Sequence, residues 1–400
     1  MFVKNTIIYP NENNYRIFVH QMAITKITIE EFLALAKTNL VLDVRSPSEY
    51  AHAHIPHAKN LPLFNDEERK IVGTAYKQKS KEIAIKLGLD FFGTKMRAMV
   101  EEVEQLAVGS VQLAKSTSQI EESSQIANSN CILVHCWRGG MRSAGVAWLL
   151  DLYGFKVYTM VGGYKAYRNW VLQQFERDYN FKIIGGYTGT GKTLLLSALA
   201  KENNATIDLE GLANHKGSAL GGIGQAAQPS QEMFENFLAK ELFQKNNNNS
   251  QYNEPTANYP PPTANCIWLE DESQRIGDLQ IPMPLWRTMR SSKVYFFNIP
   301  FEERLQYLTE EYGVQKKDAL VTAIMRIQKR LGGLETKTAI NFLLENNCKE
   351  SFRILLTYYD KYYLKGLHNR ENAKELITTI DAEKVNTNFN IELLKKIWNK

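Results

Sequence analysis

One three-part pattern occurs twice in this chain: a short apolar run, a glycine-rich loop, then a helical pattern. The first instance is CILVH at 131–135, then CWRGG, then a segment with Ala144, Val146, Ala147, Leu149 and Leu150 on its apolar positions. The second is FKIIGG at 181–186, then YTGTG, then a helical stretch from Lys192 to Lys201. An unbroken apolar run of this length reads as a strand buried on both faces. A strand feeding a helix through a tight loop is the repeating unit of a parallel sheet. The chain is therefore an α/β protein with an open parallel sheet in each half.

The remaining segments fit around these two units. Residues 24–37 read as a short helix, LVLDV at 40–44 as a buried strand, and 66–106 as helical. VYTMVGGY at 157–164 reads as a third strand running into a Gly-Gly turn. In the second half ATIDLEG (205–211), NCIWLEDES (265–273) and KVYFFNI (293–299) read as strands, the last of them the final strand of the chain. Beyond Pro300 the pattern is helical to the end. Two stretches are low in complexity: a Ser-rich insertion at about 110–130, read as flexible, and an Asn- and Pro-rich loop at about 244–265, read as disordered. The expected domains are an N-terminal extension (1–23), a first α/β domain (24–175), a second one (180–300) and a helical C-terminal region (301–400). Beyond this shared pattern the sequence has no internal repeat.

Composition excludes several classes. The four cysteines, Cys131, Cys136, Cys266 and Cys348, lack the rhythm of a disulfide framework or a zinc site, which points to a reducing, cytoplasmic setting. The N-terminal stretch has no signal-peptide core. No apolar run approaches the ~20 residues of a membrane span. A net charge of +5 permits a nucleic-acid partner without requiring one.

Cys136 stands where a strand stops and a helix begins. Unpaired amides and the positive end of the helix dipole converge there. Gly139 and Gly140 let the loop curl, and Arg138 and Arg142 add full charges. All of these favour a thiolate, so Cys136 is the candidate nucleophile, and the same cradle suits an oxyanion. The other three cysteines read as packing residues. His52, His54 and His57 could suggest a metal site, but no helix or strand period puts all three on one face.

Gly186, four residues, then Gly191, Lys192 and Thr193 match the Walker A pattern, in the strand–loop–helix context that gives the pattern meaning. Gly186, Gly189 and Gly191 free the backbone amides to face a diphosphate, Lys192 adds charge, and Thr193 suits a magnesium ion. Glu270, Asp271 and Glu272 close a strand like a Walker B end, with Glu270 and Asp271 the further magnesium candidates; a solvated acidic turn is the plain alternative. The loop does not report which organic group carries the diphosphate. The small-residue segment 208–235, with His215 and Lys216, reads as a loop that wraps a ligand.

Two resemblances follow from these residues. LVLDVRSPSEYAHAHIPHAKNLPL (40–63), with Cys136 and the GGY at 162–164, resembles the rhodanese sulfurtransferase domain. That implies Cys136 as a chalcogen carrier, with Asp43 and Arg45 as an ion pair that shapes the loop. The whole set resembles the tRNA 2-selenouridine synthases: DEERKIVGTAYKQKS, HCWRGGMRS, GGYTGTGKT, EGLANHKGSALGG, QPSQEMFE and LEDESQRIG. This implies a rhodanese-like domain followed by a P-loop NTPase-like domain, acting on the wobble 2-thiouridine of tRNA. Geranyl diphosphate would alkylate the sulfur, and selenium from selenophosphate would then replace the geranylthio group. Lys192, Thr193 and the loop amides would hold the diphosphate. Cys136 would carry selenium as a selenylsulfide, with Arg138, Gly139, Gly140 and Arg142 binding the anionic donor. A selenophosphate supplier is an implied partner, a membrane is not, and no covalent cofactor is implied. Lys316, Lys317, Arg326, Lys329 and Arg330 are candidates for a tRNA path, or a solvated helix face.

Two other classes fit parts of the pattern. Cys136, five residues and Arg142 also match the loop of cysteine-dependent phosphatases, here fused to a P-loop kinase-like domain. A regulatory sulfur carrier that binds nucleotides is the third reading.

Overall fold

The structure, a computed structural model, describes residues 24–117, 131–248 and 266–398. The chain divides into two compact units, Met1–Trp170 and Val171–Lys400.

The first unit holds strands β1 (Thr25–Ile27), β2 (Leu40–Asp43), β3 (Lys59–Asn60), β4 (Cys131–His135) and β5 (Lys156–Met160). They form one sheet in the order β1-β5-β4-β2-β3, parallel throughout. Leu42, Val134, Val146, Leu150 and Val157 lie in its core, packed with Phe92 and Val103 from the helices between β3 and β4. The segment read as one helix at 24–37 is split. Thr25–Ile27 joins the sheet edge, and the helix Ile29–Leu35 starts after Thr28. Thr28 and Glu31 cap each other's amides there, which fixes the boundary. Strand β5 stops at Met160, so Gly163 and Tyr164 belong to the helix Gly163–Gln174 rather than to a strand end. The helical stretch 66–106 is three helices, Asp66–Gln78, Lys81–Gly93 and Met96–Thr117. The last extends into the insertion read as flexible; residues 118–130 lie outside the described residues.

The second unit holds β6 (Asn180–Gly186), β7 (Thr206–Ile207), β8 (Cys266–Glu270), β11 (Lys293–Asn298) and β12 (Ile377–Asp381), in the order β12-β11-β6-β8-β7. All these pairings are parallel. A short antiparallel ribbon, β9 (Arg275–Ile276) with β10 (Leu279–Gln280), lies between β8 and β11 in sequence. Two sequence expectations fail here. KVYFFN is not the last strand, because β12 follows it within the stretch read as wholly helical and pairs with it from Val294↔Ile377 to Asn298↔Asp381. The helix Gln231–Asn248 runs into the start of the loop read as disordered at 244; residues 249–265 lie outside the described residues. The helices after Pro300 build a core of their own around Leu305, Leu308, Ile324, Phe352 and Leu356. Among the described residues no helix is long and apolar enough to cross a membrane.

Candidate functional site

Cys136 follows the last residue of β4, and its loop closes on the helix Met141–Tyr153. Its Sγ lies 3.2 Å from Ser143 Oγ. Burial pushes the thiol up, but the Ser143 hydroxyl and the amides of Ser143, Gly140 and Arg138 outweigh it, leaving the Cys136 thiol below its ordinary value. The amides at the helix start thus favour the thiolate. The arginines are placed differently from one another. Arg138 is exposed. Arg142 donates to Glu49 at 2.7 Å and is held as an ion pair.

Glu49 is delivered by local sequence. In Ser46-Pro47-Ser48-Glu49 the carboxylate accepts the Ser46 amide at 3.1 Å, at the start of the helix Pro47–His52. Asp43 and Arg45 form the ion pair expected of them, with Nη2 at 2.6 Å from Oδ2. Arg45 also donates to the Ala53 carbonyl at 2.7 Å and covers the Tyr164 ring at 3.8 Å from its centroid. Burial raises the Asp43 carboxyl, and His135 and Arg45 bring it down to a net value below the usual one.

The GGY motif backs the thiol loop. Tyr164 donates its amide to the Cys136 carbonyl at 2.8 Å, and Lys165 to that of Trp137 at 2.9 Å. Gly163 has φ +60°, and a Cβ there would strike the Cys136 carbonyl and the Gly139 amide. Gly139, at φ +65°, would place a Cβ 2.5 Å from the Met160 carbonyl. Two glycines are therefore required where the two loops press together. Of the three histidines, His54 stacks on Tyr50 with centroids 4.0 Å apart. Among the described residues no group of three or more His, Cys, Asp or Glu is placed to hold a metal ion.

In the second unit the loop after β6 runs from Tyr187 to Gly191 and opens the helix Lys192–Lys201. Gly189 and Gly191 have φ of +82° and +74°. Lys192 Nζ lies 3.4 Å from the Gly186 carbonyl, folded back over the loop. Arg304, buried, donates to the Thr188 carbonyl at 3.2 Å and pairs with Asp360 at 2.7 Å, which pins the loop from behind. Tyr363 accepts the Gly186 amide at 3.0 Å and donates to Asp271 at 2.7 Å.

The carboxylates sort into three roles. Asp271 is the anchor of a buried pair with Arg370. Glu270 accepts the Leu209 amide at 3.3 Å through one oxygen. Burial, with Asp208, Glu210 and Glu272 near, keeps its carboxyl protonated well above the usual range. The carboxylate that meets the Thr193 hydroxyl, at 2.9 Å, is Glu210. Glu210 and Glu272 hydrogen-bond each other, and burial raises both. Of the three magnesium candidates, Thr193 and Asp271 line one cavity beside the loop, with Asp271 also bonded to Arg370 and Tyr363, and Glu270 is bonded to the Leu209 amide. Sequence reading missed Glu210, Arg304 and Tyr363, which approach the loop only through the fold, whereas Glu272 belongs to the strand-end acidic run that the sequence marks.

The loop opens on a cavity of about 1160 Å³, lined among others by Gly189, Lys192, Thr193, Glu210, Glu272 and Arg290. The small-residue segment is ordered along its wall. Lys216 donates its amide to Gly221 at 2.9 Å and pairs through its side chain with Glu311, and the Ala219 amide donates to Tyr359 at 3.0 Å. Of the basic candidates, Arg326 and Arg330 line this cavity, whereas Lys317 bonds Asn346.

Comparison with known proteins agrees with this architecture. The family described as tRNA 2-selenouridine synthase AAA domain matches residues 179–392, and the rhodanese-like domain matches residues 28–87. A tRNA 2-selenouridine synthase of Sulfurovum sp. is 31% identical, over 86% of this chain and 93% of that protein. One from Hydrogenovibrio crunogenus is 32% identical, over 89% of this chain and 97% of that protein. One from Cupriavidus pinatubonensis is 35% identical, over 68% of this chain and 65% of that protein. With both domains matched in order and the first two relatives covered nearly end to end, this enzyme belongs to the tRNA 2-selenouridine synthase family.

Proposed function

We propose that the chain converts wobble 2-thiouridine in tRNA to 2-selenouridine through S-geranyl-2-thiouridine, using geranyl diphosphate and selenophosphate. The observation that carries this reading is the pairing of two different anion cradles in one chain. One encloses a thiol held below its ordinary pKa, and the other is a P-loop opening on a large cavity. In the first step the base sulfur attacks the C1 carbon of the geranyl group, and the diphosphate departs with its electron pair. Lys192, Thr193 and the amides of Gly189 and Gly191 stabilise that leaving group, and the N3 proton of the base is lost. In the second step water takes the phosphoryl group of selenophosphate to leave phosphate, and the selenide released and held at the Cys136 loop adds to C2 of geranylthiouridine and expels geranylthiol, giving selenouridine with selenium at the selenide level throughout. Arg138 and the amides of Gly139 and Gly140 form the cradle for the anionic donor, beside Arg142, which Glu49 holds as an ion pair. Arg326 and Arg330 at the cavity wall are the residues best placed to meet tRNA phosphates.

The phosphatase reading asks Arg142 to clamp a phosphate, and Arg142 is already paired with Glu49. The test is incubation of the purified chain with thiouridine tRNA, the two donors and, separately, an aryl phosphate. Geranylated and selenated nucleosides support the proposal. Brisk aryl phosphate hydrolysis that disappears in Cys136→Ser, with the tRNA unchanged, overturns it.

A further inference from the structure

The cavity beside the P-loop has two chemically different halves. One is the phosphate end, with Lys192, Thr193 and the carboxyl pair. The other is built by the helices Phe301–Tyr312 and Cys348–His368. Leu308, Tyr312, Phe352 and Leu355 line the cavity there. All four belong to the apolar core of the C-terminal helices, and Leu355 is 2% exposed. The two halves are contiguous: a Cβ on Gly189 would lie 3.0 Å from Leu308 Cγ, so the apolar wall begins where the diphosphate cradle ends.

Leu308, Phe352, Leu355 and Leu220 present only carbon to this half of the cavity. The Tyr359 hydroxyl accepts the Ala219 amide, and the Tyr363 hydroxyl is spent on Gly186 and Asp271. A nucleoside brings a ribose and a base whose polar edges need partners, and burying them unpaired is costly. A hydrocarbon needs none and gains by leaving water. The segment 215–222 lies along this wall. Leu220 is buried in the same core, and Lys216 pairs with Glu311 beside the Tyr312 ring.

We infer that this apolar half, walled by Leu308, Tyr312, Phe352, Leu355 and Leu220, holds the hydrocarbon chain of the diphosphate substrate and sets which chain length the enzyme accepts. The inference rests on the proposed prenyl transfer and adds the residues that select the donor. Phe352 and Leu355 are the selectors, because shortening either enlarges the wall without touching the P-loop.

The test compares binding of inorganic diphosphate, dimethylallyl, geranyl and farnesyl diphosphates and ATP to the full chain, and to Phe352→Ala and Leu355→Ala. The wild-type chain binds geranyl diphosphate at least about a hundredfold more tightly than inorganic diphosphate, and more tightly than ATP. Each alanine variant improves the farnesyl-to-geranyl affinity ratio about tenfold while inorganic diphosphate binds as before. The unchanged diphosphate affinity shows that the variant is folded. Because packing loss could unfold an alanine variant, Leu355→Val is the milder second change: it removes one methylene and shifts the ratio in the same direction by a smaller factor. Equal affinity of the wild-type chain for geranyl and inorganic diphosphate, or tighter binding of ATP, overturns the inference. So does a chain-length ratio indifferent to folded Phe352 and Leu355 variants. Geranyl diphosphate bound with the expected selectivity but never transferred to thiouridine tRNA would count against the proposed reaction and leave this assignment of the wall intact.

Discussion

The two glycine loops begin alike, at the end of a buried parallel strand, and solve opposite electrostatic problems. The thiol loop must stabilise an anion belonging to the protein. It does so mostly with fixed dipoles: three backbone amides and the Ser143 hydroxyl offset the burial of Cys136. Of the two arginines of the loop, Arg142 is neutralised by Glu49. The phosphate loop must receive an anion from outside, yet carboxyls crowd it. Glu210 and Glu272 face it, with Asp208 and Glu270 close by, and burial holds Glu210, Glu270 and Glu272 towards the protonated form. The first loop is thus set by geometry, whereas the second depends on protons held by its surroundings.

The largest effect that separates the loops is chemical. Cys136→Ala removes the carrier and should abolish selenation while leaving geranylation measurable by nucleoside mass analysis. If selenation persisted, the thiol loop would have no part in it. Lys192→Ala should lower the geranylation rate by about a hundredfold, since a charge facing the departing diphosphate is lost. Single-turnover rates on thiouridine tRNA would show it.

Two smaller effects probe the electrostatics themselves. Ser143→Ala takes away one hydrogen bond to the sulfur, so the Cys136 thiol should rise towards its ordinary value. The pH profile of iodoacetamide labelling should move to higher pH, with labelling near neutrality slowed about fivefold. An unmoved profile would mean that the amides alone hold the thiolate. For the phosphate loop the sign runs the other way. Raised carboxyl values keep Glu210 and Glu272 neutral to higher pH than usual, so diphosphate binds best below those values. Affinity then falls as pH rises through them and negative charge appears beside the ligand. Glu272→Gln should weaken that fall by about threefold, as read from diphosphate titrations across the range.

The sequence shows what neighbours along the chain decide. Apolar runs too long and too continuous for a one-sided sheet marked β2, β4, β6, β8 and β11. Glycine, lysine and cysteine at loop positions marked both cradles. Strand β12 escaped because ITTID has two exposed-compatible threonines and lies among helices, and only its pairing with β11 makes it a strand. The pairs that tune each site were hidden by distance along the chain. Glu49 meets Arg142 across 93 residues, and Tyr363 meets Gly186 across 177. Nothing local distinguishes Glu49 from other helix-capping glutamates, or Tyr363 from the other tyrosines of its helix. The strand-end carboxylate Asp271 also holds Tyr363 and Arg370, and Glu210, 17 residues beyond Thr193 and unmarked by any local pattern, meets the Thr193 hydroxyl.

The most direct test of the account is the composition of the tRNA product. The purified chain is incubated with thiouridine tRNA, geranyl diphosphate and selenophosphate, and the digested nucleosides are weighed, with each donor omitted in turn. The account predicts geranylthiouridine when only geranyl diphosphate is present and selenouridine when both donors are present. Thiouridine left unchanged by a folded chain, or selenouridine formed without geranyl diphosphate, would contradict it.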